Sequence, residues 1–200
     1  MSSDQRAAET RRRPPTTSAG FEPARSGNTR SKTYGQRRPP HADGGSTAYF
    51  VSTRTLDSCR VFESDDTARI AVAELRACRN AYGFKLLAYC FMPDHAHFVL
   101  VPNDGYDIAQ TMRLIKGRIA RRVNEYLDRS GPVWQSGFFD KAPGSLEALN
   151  KFTRYTEANP VAAKLARSPA AYAFSSARGD CLNDYASFLG ECASGPGEAT

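Results

Sequence analysis

Residues 89–101, Tyr-Cys-Phe-Met-Pro-Asp-His-Ala-His-Phe-Val-Leu-Val, constrain the fold more than any other stretch of the chain. Phe98 to Val101 continue from the second histidine as an apolar run, the signature of a buried strand. Strand side chains alternate, so His95 and His97 project from one face while Ala96 and Phe98 pack on the other. Pro93-Asp94 marks a turn just before them and places the pair at the start of the strand, near solvent. Two imidazoles held side by side are either the decoration of a sheet face or the first two ligands of a metal site. The spacing alone admits both readings.

The flanking sequence supplies partners for that strand. Residues 48–55 alternate Tyr49, Val51 and Thr53 with Phe50, Ser52 and Arg54, a strand pattern. Asp65-Asp66-Thr67 is expected to cap a helix whose apolar positions are Ile70, Val72, Ala73, Leu75 and Ala77, ending near Tyr82-Gly83. Residues 84–90 form a second strand, joined to the histidine strand by a tight turn, so the sheet is at least partly antiparallel. After Asp104-Gly105 a helix over about residues 107–128 gathers Ile108, Met112, Ile115, Ile119 and Val123 on one face. Its other faces carry Arg113, Lys116, Arg118, Arg121 and Arg122, which are either solvated or set to contact phosphates beside the histidines.

Residues 133–140 read as a short aromatic strand. Its Trp134 and Phe138 either stack on bases or pack inside; Trp134, flanked by apolar residues, favours the core. Ser145 opens a third helix, expected to run to about Ala158 and to stop at Pro160. On it Tyr155 and Asn159 share a face, with Lys151 one turn before. Residues 172–176 read as a wrapping extension.

Charge and composition bound the partners. The chain has 200 residues and a formal net charge of +6, which favours a polyanion. Nine Lys or Arg against four acids put most of that excess in residues 1–46, which carry almost nothing apolar to bury. This basic extension is expected to be disordered, either as a dispensable solvated tail or as an arm that slides on nucleic acid. Residues 179–200 carry four acids and no base, and are expected to be a loosely ordered acidic tail. No run approaches the roughly 18 apolar residues of a membrane helix, and no secretory signal is expected. Five cysteines without a CxxC pair imply reduced thiols and a cytoplasmic location.

Three blocks, in order, carry a resemblance: 89–97, 133–138 and 154–165, with Phe174-Ser175-Ser176 closing the pattern. Together they resemble the REP-associated tyrosine transposases of the single-tyrosine HUH transposase superfamily, over roughly residues 47–178. The resemblance implies an α+β, ferredoxin-like HUH domain, with a central antiparallel sheet flanked by helices. It also implies that His95 and His97 are the metal-binding pair, Tyr155 the nucleophile, and Asn159 a third, oxygen ligand. The implied cofactor is a divalent metal, Mg2+ or Mn2+, and the implied partner is single-stranded or hairpin DNA, with monomer or homodimer left open. Thr156 departs from the pattern, standing where an aliphatic residue is usual, and the 46-residue extension has no counterpart in it.

The chemistry so implied is nicking and strand transfer through a 5′-phosphotyrosine. A phenol is a poor nucleophile at neutral pH unless the phosphate it attacks is polarised and the developing charge neutralised. Lys151 would favour the phenolate, or is simply solvated. Two other classes stand against this one: a domesticated binder of structured DNA or RNA that does not cut, and a metal-dependent hydrolase that uses water. The four intact groups His95, His97, Tyr155 and Asn159 favour the transposase. Tyr126 also lies on a helix beyond the histidines, but it has Ser130 at the offset where Tyr155 has Asn159, and Ser130 adjoins the helix-ending Gly131-Pro132.

Overall fold

The computed structural model describes residues 47–179 and 183–194, so the expectations for residues 1–46 lie outside the described residues. Seven of its elements run in the order β1 Tyr49–Arg54, α1 Asp65–Tyr82, β2 Lys85–Met92, β3 His95–Val101, α2 Ile108–Tyr126, β4 Phe139–Lys141 and α3 Leu146–Ala162. An eighth, α4 Tyr185–Ser194, follows near the C-terminal end. The four strands lie in the order β2-β3-β1-β4, and every pairing is antiparallel. This is the βαββαβ arrangement of a ferredoxin-like α+β domain, with the histidine strand at its centre. Among the described residues no helix is long and apolar enough to cross a membrane.

Alternation along the strands divides the core in two. Val51, Phe91, Ala96 and Phe98 meet Leu75 of α1 and Met112, Ile115 and Ile119 of α2 on one side of the sheet. Phe50, Ala88, Val99 and Val101 meet Leu149 of α3 and Phe188 of α4 on the other. Met112, Ile115 and Ile119 are completely buried, and each such side chain contributes about 1.5–3 kcal/mol. A register shift in β2 between Leu86 and Ala88 leaves Leu87 as the extra residue. Leu87 and Ala88 thereby both belong to the α3 side, as a bulge allows.

Helix boundaries follow their caps, with two departures from expectation. Ser64, rather than the Asp65-Asp66-Thr67 run, caps α1: its side chain accepts from the Asp66 amide, 3.3 Å away, and the acids fill the first turn. Gly83 ends α1 at φ +68, where a Cβ would meet Asn103 Nδ2 at 3.0 Å. Asp107 and Gln110 form a reciprocal capping box on α2. Pro160 does not stop α3, which continues to Ala162. The proline lies in the last turn, where only one ladder bond is lost, and the Leu165 amide donates to its carbonyl at 2.8 Å.

The expected aromatic strand is shorter than 133–140. Trp134 makes only an isolated bridge with Thr55, and β4 starts at Phe139. Glycine at 137, with φ +72, breaks the extended run between them. At the opposite edge of the sheet, residues 172–176 lie along β2: the Phe91 amide donates to the Phe174 carbonyl at 3.0 Å, and the Tyr172 hydroxyl donates to the Phe91 carbonyl at 2.8 Å. That covers an edge otherwise open to pairing. Within the acidic end, Asp184 accepts from the Leu86 amide at 2.8 Å and from Arg79, and Phe188 of α4 is buried. One ion pair and one aromatic ring thus seat this part of the tail on the domain.

Candidate active site

His95 and His97 do share a sheet face, and it is the face covered by α3. Their ring centroids lie 4.9 Å apart, at an interplanar angle of 80°. Register sets their neighbours: Ser52 and Cys90 flank His97, and Arg54 and Met92 flank His95. The Phe50 ring stacks on His97 at 5.7 Å and on Phe152 of α3 at 4.8 Å. Through this stack α3 is fixed over the histidines.

Tyr155 follows from that placement. Its ring lies edge-on to His97 at 5.7 Å and to Phe50 at 5.8 Å, yet the residue remains 52% exposed. Asn159 lies one turn on; its Nδ2 donates to the Tyr155 carbonyl at 2.7 Å, leaving Oδ1 as the amide atom that can accept or ligate. Thr156, at the position that departs from the pattern, is fully buried, and its hydroxyl has no partner. Lys151 is exposed on the same helix.

The two histidines differ electrostatically. Burial, then the neighbouring His95 and Arg54, push His97 down to about 3, so its imidazole is neutral with a lone pair to give. Its Nδ1 is buried without a partner, a condition that calls for an ion or an ordered water nearby. His95 Nδ1 instead lies 2.6 Å from Asp94 Oδ1, and Asp94 in turn pairs with Arg54 at 3.4 Å. Burial raises the Asp94 carboxyl, but the His95 hydrogen bond and charge, with Arg54, more than offset it and hold the group below its ordinary value. A carboxylate behind a histidine fixes ring orientation and raises ligand basicity. Sequence reasoning read Asp94 only as a turn residue, although its place next to His95 was a signal. Arg54 carried none, because only strand register sets it opposite His95.

Among the described residues no group of three His, Cys, Asp or Glu could hold an ion. Cys90, the nearest thiol by register, is pushed up to about 12, mainly by burial, and is a neutral thiol in the metal-free chain. A divalent ion here would therefore rest on two imidazoles and an oxygen of another kind, for which the Asn159 amide fits.

The remaining expected DNA contacts lie elsewhere. Arg113, Lys116, Arg118, Arg121 and Arg122 belong to α2, which packs on the opposite face of the sheet from the histidines. Lys116 Nζ donates to the carbonyls of Gln135 at 2.9 Å and Gly137 at 2.7 Å. Arg118 and Arg122 pair with Glu74 of α1, and Arg121 and Arg122 with Glu125. Trp134 is 7% exposed, packs on Phe62, and donates its Nε1–H to the Lys116 carbonyl at 3.2 Å. Lys116, Arg118, Arg122 and Trp134 thus tie α2 to its surroundings, and Arg121 pairs within the helix. Arg113 is exposed, on the side of the sheet away from the histidines, and pairs with no carboxylate among the described residues.

Known proteins share the fold and the family. A solved structure of a REP-associated tyrosine transposase bound to a REP hairpin shares the fold, with a TM-score of 0.57 at 17% identity, over 73% of this chain and 84% of that one. A protein of Deinococcus radiodurans R1 described as a transposase aligns over 60% of this chain and 95% of its own, at 20% identity and a TM-score of 0.45, too slight a likeness to argue from. No curated protein sequence matches the chain. The IS200-like transposase family matches residues 49–159, from the first residue of β1 to Asn159. That span is more than half of the chain and contains both histidines and Tyr155, and the chain belongs to the IS200-like transposase family.

Proposed function

We propose that this chain nicks and rejoins single-stranded DNA at hairpin-forming repeats, with Tyr155 as the nucleophile. The observation that carries the reading is the approach of an exposed tyrosine to a buried, neutral histidine of the same chain, 5.7 Å between ring centroids. Exposure leaves the phenol reachable by a DNA strand, and the Phe50–Phe152 stack holds its helix in place.

Tyr155 Oη attacks phosphorus; the new O–P bond forms as the P–O3′ bond breaks. The phenolic proton leaves to solvent, and the departing oxygen takes up a proton to become a free 3′-OH. The 5′ end stays on Tyr155 as a phosphotyrosine. Attack by a 3′-OH reverses these steps and restores the phenol, so the ester bond is conserved and no high-energy cofactor is consumed. His95, His97 and the Asn159 amide oxygen would hold the divalent ion, magnesium or manganese. When bound, that ion neutralises charge at the phosphate. Asp94 keeps the His95 ring turned for ligation. The hairpin carried by the similarly folded transposase supports a hairpin-forming substrate.

The test is incubation of the full chain with labelled single-stranded repeats from its own genome and manganese. A covalent protein–DNA adduct that resists detergent and disappears on chelation is expected. Tight binding without adduct would instead identify a non-cleaving binder.

A further inference from the structure

The aromatic cluster beneath Tyr155 does not end at Phe50. On β4, Phe139 pairs with Ser52 and Lys141 with Phe50, so both project from the histidine face. The Phe139 ring sits edge-on to Phe50 at 6.3 Å, and Phe50 in turn touches Tyr155 and His97. Phe139 is thus one ring removed from the reacting centre, and it is 43% exposed. Its neighbours Trp134 and Phe138, the aromatic residues the sequence offered for stacking, are buried and half-buried. Of the three aromatic residues, Phe139 is the most exposed.

Cations stand on the same side of the sheet as that ring. Lys141 Nζ lies over the Phe152 ring at 5.8 Å and the residue is exposed. Lys151 and Arg154 are exposed on α3, and among the described residues neither pairs with a carboxylate. An exposed ring with cations on its own side of the sheet is suited to a single strand: bases stack on the ring while the backbone follows the charge.

We propose that Phe139 and Lys141 form a nucleotide subsite at the β4 edge, where Phe139 stacks a base of the single strand whose neighbouring phosphate Tyr155 attacks, and Lys141 meets its backbone. The subsite rests on the nicking reading for its place in the reaction, but not for its existence. Phe139 is a positioning residue here: it fixes the strand and takes no part in bond exchange. The ring accepts any base, because every base offers a π-face, so selection of the repeat is made elsewhere.

The test measures binding of the full chain carrying Tyr155→Phe, so that no adduct forms, to a deoxythymidine dodecamer and to an abasic strand of equal length and charge. Phe139→Ala is expected to weaken the dodecamer about tenfold and to leave the abasic strand unchanged. Phe139→Trp should retain the dodecamer's affinity, which separates stacking from damage to the short strand. Lys141→Gln should weaken both ligands and lower the salt slope by about one. Equal effects of Phe139→Ala on both strands, or none on either, would overturn the subsite. Adduct formation by the otherwise native chain is measured separately: stacking without adduct refutes nicking alone, and adduct without stacking refutes the subsite alone.

Discussion

Helices α2 and α3 make the same offer in sequence and opposite ones in structure. Each carries a tyrosine exposed to the same 52%, Tyr126 and Tyr155, and each carries lysines and arginines. Exposure therefore cannot choose the nucleophile. What lies opposite does: Tyr126 donates its hydroxyl to Asp66 Oδ2 of α1 at 2.8 Å, whereas the Tyr155 ring meets His97. On the α2 side most of the cations are paired, Arg118, Arg121 and Arg122 with Glu74 and Glu125, whereas Lys151 and Arg154 of α3 pair with no carboxylate among the described residues. A residue type on a helix acquires chemistry only from the face it looks across to.

Breaking that comparison at the tyrosines gives the largest effect. Tyr155→Phe removes one oxygen from an exposed ring, so fold and DNA binding should survive while covalent adduct is abolished. Tyr126→Phe should leave the adduct intact, and it removes only an exposed hydrogen bond, so stability should change little. Gel analysis of adduct with both variants decides it, and adduct on Tyr155→Phe would move the nucleophile elsewhere.

The histidine side should also show itself in the pH dependence of stability of the metal-free protein. His97 is held near 3 by burial, below the 6.5 of a free imidazole, so the unfolded chain binds the extra proton between those values. Its contribution is fully present above about 6.5 and shrinks as pH falls toward about 3, by at most about 1.4 kcal/mol per pH unit. Urea midpoints from pH 7.5 to 4.5 should fall less steeply for His97→Phe than for the native chain. Parallel curves would mean that His97 titrates as it does in water.

Asp94 acts at one remove, and a smaller effect is expected. Asp94→Asn keeps the shape but loses the charge behind His95, and outer carboxylates of this kind are worth about 10- to 100-fold in metal affinity. Titration with manganese should show a weakening of that order, with the thermal midpoint little changed. Unchanged affinity would reduce Asp94 to a turn residue.

Local patterns were legible in the sequence because they are carried by neighbours along the chain. The alternation around His95 and His97, the apolar face from Ile108 to Val123 and the Ser145 cap all stand in the structure. What required the fold was every relation across strands or layers. Arg54 reaches Asp94 through the β1–β3 register, Glu74 takes Arg118 and Arg122 across two helices, and Phe50 joins Phe139, Phe152 and His97 from three elements. The cationic face of α2 was readable as charge, but not the pairing of Arg118, Arg121 and Arg122 with Glu74 and Glu125. Pro160 misled for a different reason: its penalty falls on one bond in the last turn, and packing of α3 on the sheet outweighs it.

The finest test compares cations of the two helices, and its effects are the smallest. Arg118 shares Glu74 with Arg122 at the α1–α2 contact, where Glu74 is largely covered. Arg118→Gln should therefore reduce stability by about 1 kcal/mol, as a partly exposed ion pair does, and leave the salt dependence of DNA binding where it was. Lys151 and Arg154 stand exposed on the helix of Tyr155 with no carboxylate partner among the described residues. Lys151→Gln or Arg154→Gln should leave stability within about 0.5 kcal/mol, as surface changes do, and lower the salt slope of binding by about one each, the signature of a single lost phosphate contact. Paired melts and salt titrations on these variants, in the Tyr155→Phe background, read both quantities at once. A slope that falls with Arg118→Gln but not with Lys151→Gln or Arg154→Gln would put the DNA on the α2 side of the sheet, away from the histidines, and the site assembled around Tyr155 would then need another substrate path.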